Sequence, residues 1–142
     1  MFPTTEFHPI LVHFPIALLI FGLLFDLLSV VFRKEACLSK AGFWLLLAGT
    51  ITAVPTVLAG ILFTAFLTGD AGDLKVKHET FALITLCLAV VTSGFRIYLV
   101  SAKKENTGLK WPALILYILT AACVSVTGFL GGTLVYRHMM PL

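Results

Sequence analysis

Residues 10–32 read ILVHFPIALLIFGLLFDLLSVVF, and this run decides the fold. A helix over it, rising 1.5 Å per residue, covers the roughly 30 Å hydrocarbon core of a bilayer. Three more runs like it follow, at about 41–67, 78–101 and 111–136. They are separated by RKEACLSK (33–40), TGDAGDLKVK (68–77) and KKENTG (103–108). The second of these is rich in Gly and Asp, a turn signal. Composition agrees with a membrane protein. Of 142 residues, 59% are hydrophobic and 12% charged, with mean hydropathy +1.03. Soluble domains carry about 45–50% apolar and about 25% charged residues.

In lipid every backbone polar group must be satisfied internally, so each run is read as a helix. Short connections make successive helices antiparallel. The expected fold is all-α, a single domain over residues 1–142: an up-down-up-down bundle of four transmembrane helices. The N-terminus MFPTTEF has no basic n-region, and no small-residue cleavage site follows the first run, which predicts a retained first helix. Lys and Arg set the orientation. Arg33, Lys34, Lys40, Lys103, Lys104 and Lys110 share one side; Lys75, Lys77 and Arg137 share the other, diluted by Glu6, Asp70, Asp73 and Glu79. Both termini are therefore expected outside, in the periplasm of a bacterial inner membrane. Trp44 and Trp111 fall near the cytoplasmic interface. A net charge of +3 gives no nucleic-acid signature. Cys37, Cys87 and Cys123 are far apart and form no C-x-x-C or C-x-x-C-H motif, so they read as small buried hydrophobes.

The histidines carry the chemistry. HPILVHFP (8–15) places His8 and His13 at the start of helix 1. His78 is expected to open helix 3 and His138 to close helix 4. All four then lie at the outer end of the bundle. An interfacial role would suit histidines at helix ends. His13, however, lies inside the apolar run, where an imidazole needs a partner for each nitrogen or a metal. Five residues on a helix turn through about 500°, so His8 and His13 point roughly 140° apart and do not chelate one ion from a regular helix. Pro9 is tolerated in a first turn and marks where helix 1 begins, with His8 at or before the cap.

Neutral imidazole ligates haem iron, copper, zinc and non-haem iron. Helices 1 and 3 are diagonal in such a bundle, so a haem b between them would take His13 and His78 as axial ligands. His138 and then His8 are the next candidates. In GFLGGTLVYRH (128–138), Gly128, Gly131 and Gly132 would let a flat macrocycle, or simply another helix, approach the backbone. Arg137 would pair with a propionate or anchor at the interface. A bare copper, zinc or iron ion held by the histidines, with Glu79, Glu6, Asp70 and Asp73 nearby, is the competing reading. No H-E-x-x-H is present, so a helix-borne zinc protease is unsupported. Toward the opposite end, Asp26 and Arg96 are intramembrane charges of opposite sign at similar depth, read as a structural ion pair in preference to a proton or ion path. Pro55 should kink helix 2.

The stretches H-P-x-x-V-H-F-P and G-G-x-L-V-Y-x-H resemble the domain of unknown function 2231 family, small four-helix bacterial membrane proteins, over nearly the whole chain. They map onto His8, Pro9, His13, Phe14, Pro15, Asp26, Gly131, Gly132, Tyr136 and His138. His78 falls in a less patterned region. The resemblance implies an inner-membrane location. Some members of that family are joined to Rieske-type iron–sulfur or other redox domains, which favours electron transfer by association. The readings carried forward are a haem-binding electron-transfer protein, a transition-metal-binding membrane protein, and a non-catalytic subunit or assembly factor. Expected partners are the lipid bilayer, a redox protein or quinone, and a second copy in a homodimer.

Overall fold

The computed structural model describes residues 7–32, 35–64, 67–105 and 107–138, with only the backbone of residues 7–10, 63 and 138. Four helices account for nearly all of it: α1 (Phe7–Val31), α2 (Ala36–Phe63), α3 (Gly69–Ser101) and α4 (Lys110–His138). Each is long and apolar enough to cross a membrane, and no strand occurs among the described residues. α1 packs most extensively on α2 and α3 on α4; α2 with α3 and α1 with α4 close the ring. α1 and α3 are therefore diagonal.

Helix bounds differ from the hydropathy reading where polar residues turn out to be helical. α2 begins at Ala36 and ends at Phe63. α3 begins at Gly69, so most of the Gly- and Asp-rich stretch is its first turns. Three features make this stretch helical. Thr68 is extended (φ −123°, ψ 163°) and Gly69 takes the left-handed φ of +67°, a start that costs glycine little. Asp70 lies in the first turn, where a carboxylate meets the positive end of the helix dipole. Lys75 and Glu79 form an i,i+4 ion pair at 2.9 Å. His78 consequently does not open the helix. It sits in the third turn, about 14 Å along the axis. α1 begins at Phe7, which puts His8 inside the helix rather than before its cap and keeps Pro9 in the first turn. Pro15 and Pro55 both lie inside continuous helical segments.

The core lies at mid-membrane, where Leu19, Leu46, Tyr117 and Val124 pack together. Glycines bring α1 against α2. A side chain at Gly49 would meet Leu19 at 2.9 Å, and one at Gly42 would meet Asp26 Oδ1 at 2.6 Å. The large exposed residues, among them Phe21, Ile51, Val91 and Phe129, form the lipid-facing surface. Trp44 (66% exposed) and Trp111 (57%) flank the end opposite the chain termini, as an aromatic belt requires.

Candidate functional site

The bundle has two unlike ends. At the end where α1 starts and α4 stops, the four helices enclose a cavity of about 330 Å³. α1 contributes His13, α2 Thr56, α3 His78 and Thr85, and α4 Thr127, Gly128, Gly131, Gly132 and Tyr136. His13 is exposed and His78 half-buried. His78 Nδ1 lies 3.0 Å from the carbonyl oxygen of Thr127. A carbonyl only accepts, so Nδ1 carries the proton and donates it, and Nε2 is the nitrogen with the lone pair. The ring lies flat against α4 because position 131 has no side chain. A Cβ there would stand 3.0 Å from His78 Cε1. A Cβ at Gly132 would meet nothing within 4 Å, and one at Gly128 would make ordinary contact with Ile16 at 3.4 Å. The three glycines thus leave α4 with a low wall facing the cavity.

The backbone of His8 and His138 is at the same end of the bundle as His13, while their side chains lie outside the described residues. Arg137 does not line the histidine cavity. It faces a neighbouring polar groove between α3 and α4, shared with Asp70, Asp73, Lys77 and Thr133. Glu79 is engaged by Lys75 and does not line the cavity, and Glu6 lies outside the described residues. Among the described residues no three His, Cys, Asp or Glu side chains come together as a metal cluster. Cys37 and Cys87 are exposed and Cys123 is half-buried; none is in a disulfide, and only Cys123 departs little from the buried position expected of all three.

At the other end Arg96 Nη2 donates to Asp26 Oδ1 at 3.0 Å, across the diagonal from α3 to α1. Both residues are buried, Asp26 at 3% and Arg96 at 2% exposure. The same nitrogen approaches the Ser39 carbonyl at 3.3 Å and its hydroxyl at 3.4 Å. Lys110 Nζ donates to Ser29 Oγ at 3.3 Å, and Ser29 donates to the Asp26 carbonyl at 2.7 Å. Charged groups inside a membrane need such partners, because isolated burial is costly.

Between the two ends lies a feature the hydropathy pattern hid. Hydroxyls on α3 pair with hydroxyls on its neighbours: Thr85 with Thr127 at 3.2 Å, Thr92 with Thr120 at 3.1 Å, and Ser93 with Thr50 at 2.8 Å. The signal was present in the spacing. Once α3 is known to be one helix, positions 78, 82, 85, 89, 92, 96 and 99 follow alternating four- and three-residue steps and read His-Ala-Thr-Ala-Thr-Arg-Leu. Threonine and serine count as near-neutral in a hydropathy sum, so the stripe does not interrupt an apolar run. Tyr117, wholly buried beside Gly22, was likewise hidden inside a hydrophobic segment.

Comparison with known proteins gives one match. The family model described as "Predicted membrane protein (DUF2231)" matches residues 4–141. No curated protein and no solved structure matches the chain.

Proposed function

We propose that this chain, which belongs to the DUF2231 family of predicted membrane proteins, holds a b-type haem in its four-helix cavity and transfers electrons. One observation carries the reading. His13 and His78 stand on diagonal helices and line the same cavity, and the Thr127 carbonyl fixes the tautomer of His78. An imidazole ligand is ordinarily oriented by a backbone carbonyl on its other nitrogen, which leaves Nε2 as the donor to metal. The cavity, about 330 Å³, falls in the ~300–1,000 Å³ range of ligand sites. Its walls are mostly apolar, Ile16, Leu19, Leu86 and Val124 among them, and its glycine-lined side suits a flat ligand.

In this reading His78 and His13 hold the iron, with His138 and His8 next in line. A haem held there would supply one-electron redox chemistry. Thr127 and Gly131 position the His78 ring. Arg137, in the adjacent groove, supplies positive charge near the rim. The Lys and Arg bias supports placing the histidine end outside, on the periplasmic face of a bacterial inner membrane. A haem there would suit electron exchange between quinone or a membrane partner and an acceptor beyond that face.

The test is spectroscopic. Protein purified from haem-replete cells should show a Soret band and a reduced α band, both lost in His78→Ala and in His13→Ala. Colourless protein sinks the reading. Copper, zinc or iron found by elemental analysis without porphyrin absorbance would replace it with the bare-metal alternative, which the four histidine positions at one end also suit.

A further inference from the structure

We infer that the buried face of α3 is a proton route joining the histidine cavity to the Asp26–Arg96 pair. The inference does not depend on what the cavity holds.

The hydroxyl pairs combine two ordinary bonds, the back-bond of a helical threonine and a bond across helices, on the same hydroxyl. Each of the five threonines donates to a carbonyl one turn back in its own helix: Thr50 to Leu46, Thr85 to Phe81, Thr92 to Leu88, Thr120 to Leu116, Thr127 to Cys123. A hydroxyl has a single proton. For two such hydroxyls to bond each other, one must turn its proton away from the carbonyl and toward its partner. In the Thr85–Thr127 and Thr92–Thr120 pairs each proton therefore has two resting places, its own carbonyl or the partner hydroxyl, and in the third pair the Thr50 proton does, with Ser93 as donor or acceptor. A proton relay requires this; a static tie does not.

The pairs are placed to connect the two ends. Thr85 and Thr127 are on the cavity wall. Thr92 is about 10 Å further along α3, and Arg96 about 6 Å beyond it. The first step is the longer one. It passes the small residues Ala53 and Ala89, where water reaching down from the cavity completes it; Ala53 lines the cavity, and the Ala89 carbonyl already accepts from Thr50 at 3.4 Å.

A second, independent observation lies at the far end. Among the described residues two buried polar atoms have no hydrogen-bond partner, Tyr117 Oη and Arg96 Nε. Tyr117 is 0% exposed, and its hydroxyl reaches α1 so closely that a Cβ at Gly22 would overlap it. Gly22 is one turn from Asp26 on the same helix. An unmet buried donor costs about 1–3 kcal/mol, which a purely structural core would remove by using phenylalanine. A relay instead keeps groups that can gain and lose partners.

The steps balance in protons alone. A hydroxyl oxygen accepts a proton as the same hydroxyl passes its own proton onward, and no other bond changes. Asp26 takes the arriving proton, loosens from Arg96, and releases it to water beside Ser29 and Lys110. The charged groups around Asp26 are Arg96 on α3, Lys110 on α4 and Glu105 in the α3–α4 turn, with Tyr117 the remaining titratable neighbour.

The experiment uses the purified chain in phosphatidylcholine–phosphatidylglycerol vesicles holding a pH dye, with a potassium gradient and valinomycin to drive protons. The expected result is acidification faster than in protein-free vesicles. Tyr117→Phe and the double variant Thr50→Val/Ser93→Ala, which both keep the ion pair, should slow it about tenfold. Asp26→Asn should abolish it in protein that elutes as a single species. A wild-type rate equal to that of protein-free vesicles overturns the inference, as does a Thr50→Val/Ser93→Ala variant that conducts like wild type. Flux from a colourless protein would sink the haem reading and leave this one standing.

Discussion

The two ends of this bundle solve opposite problems with the same four helices. At the ion-pair end α1 and α2 approach through Gly22 and Gly42, and Asp26, Arg96 and Ser39 fill the interior. At the histidine end the helices stand apart around a cavity, and the side chains that line it are mostly apolar. Glycine appears at both, with contrary effect. Gly22 and Gly42 are filled by neighbouring polar atoms, whereas Gly132 faces open space. A glycine in a membrane helix thus reports either a close approach or a binding wall, and only the neighbour decides which. Stability should reside in the first end and ligand chemistry in the second.

That division can be broken most forcefully at the ion pair. Asp26→Ala leaves Arg96 buried and unmatched, and should cost about 3–5 kcal/mol in a detergent unfolding titration. Asp26→Asn/Arg96→Met should recover much of the loss. A charge swap should recover less, because the Asp26 carboxylate is already seated close against α2 at Gly42 and an arginine is longer and bulkier. If Asp26→Ala unfolded like wild type, the stability of the bundle would have to lie elsewhere.

Next in size is Gly22→Ala. The added methyl overlaps the Tyr117 hydroxyl, and overpacking of this kind costs about 1–3 kcal/mol. Tyr117→Phe removes the obstructing atom, so the double variant should regain stability, and Tyr117→Phe alone should gain about 1–3 kcal/mol by removing a buried donor without a partner. A double variant no more stable than Gly22→Ala would show that the contact is not what limits that position.

Gly131→Ala tests the other end. Its methyl pushes the His78 ring off the Thr127 carbonyl. If the cavity holds haem as proposed, its affinity should fall about tenfold, the usual loss when a ligand's supporting hydrogen bond is removed. The unfolding midpoint should hardly move. A large stability loss with unchanged binding would reverse the roles assigned to the two ends.

The smallest effect calibrates the rest. Lys103 holds a left-handed φ of 54° after α3, where Lys104 N–H closes on the Leu99 carbonyl at 2.8 Å. Lys103→Gly relieves that conformation and should stabilise by about 1 kcal/mol without touching cavity or ion pair. A change in either flux or absorbance would mean that the α3–α4 turn is coupled to the interior.

Much of this was legible in the chain. Apolar runs longer than a bilayer is thick permit little but helices, so the four-helix fold follows from hydropathy alone. Asp26 and Arg96 stood out as intramembrane charges of opposite sign at similar depth. The start of α3 was misread because Gly and Asp serve turns and helix N-termini alike, and only the Thr68–Gly69 backbone tells them apart. With that start moved, His78 drops from the rim into the cavity wall. Arg137 was placed by sequence adjacency to His138, yet neighbours on a helix point about 100° apart, and it faces a different groove. The hydroxyl pairs needed the register between helices, which a single hydropathy sum does not contain.

The pairing of α1 with α2 and of α3 with α4 has a consequence for how the protein is made. Each pair is contiguous in the chain and can enter the membrane as one hairpin during synthesis. The first hairpin carries Asp26 and the second carries Arg96, so each emerges with a lone charge facing lipid. Docking of the two hairpins removes both liabilities at once. A half-made chain, or one hairpin without its mate, keeps a charge that nothing matches, so neither half is a stable membrane unit until the other arrives.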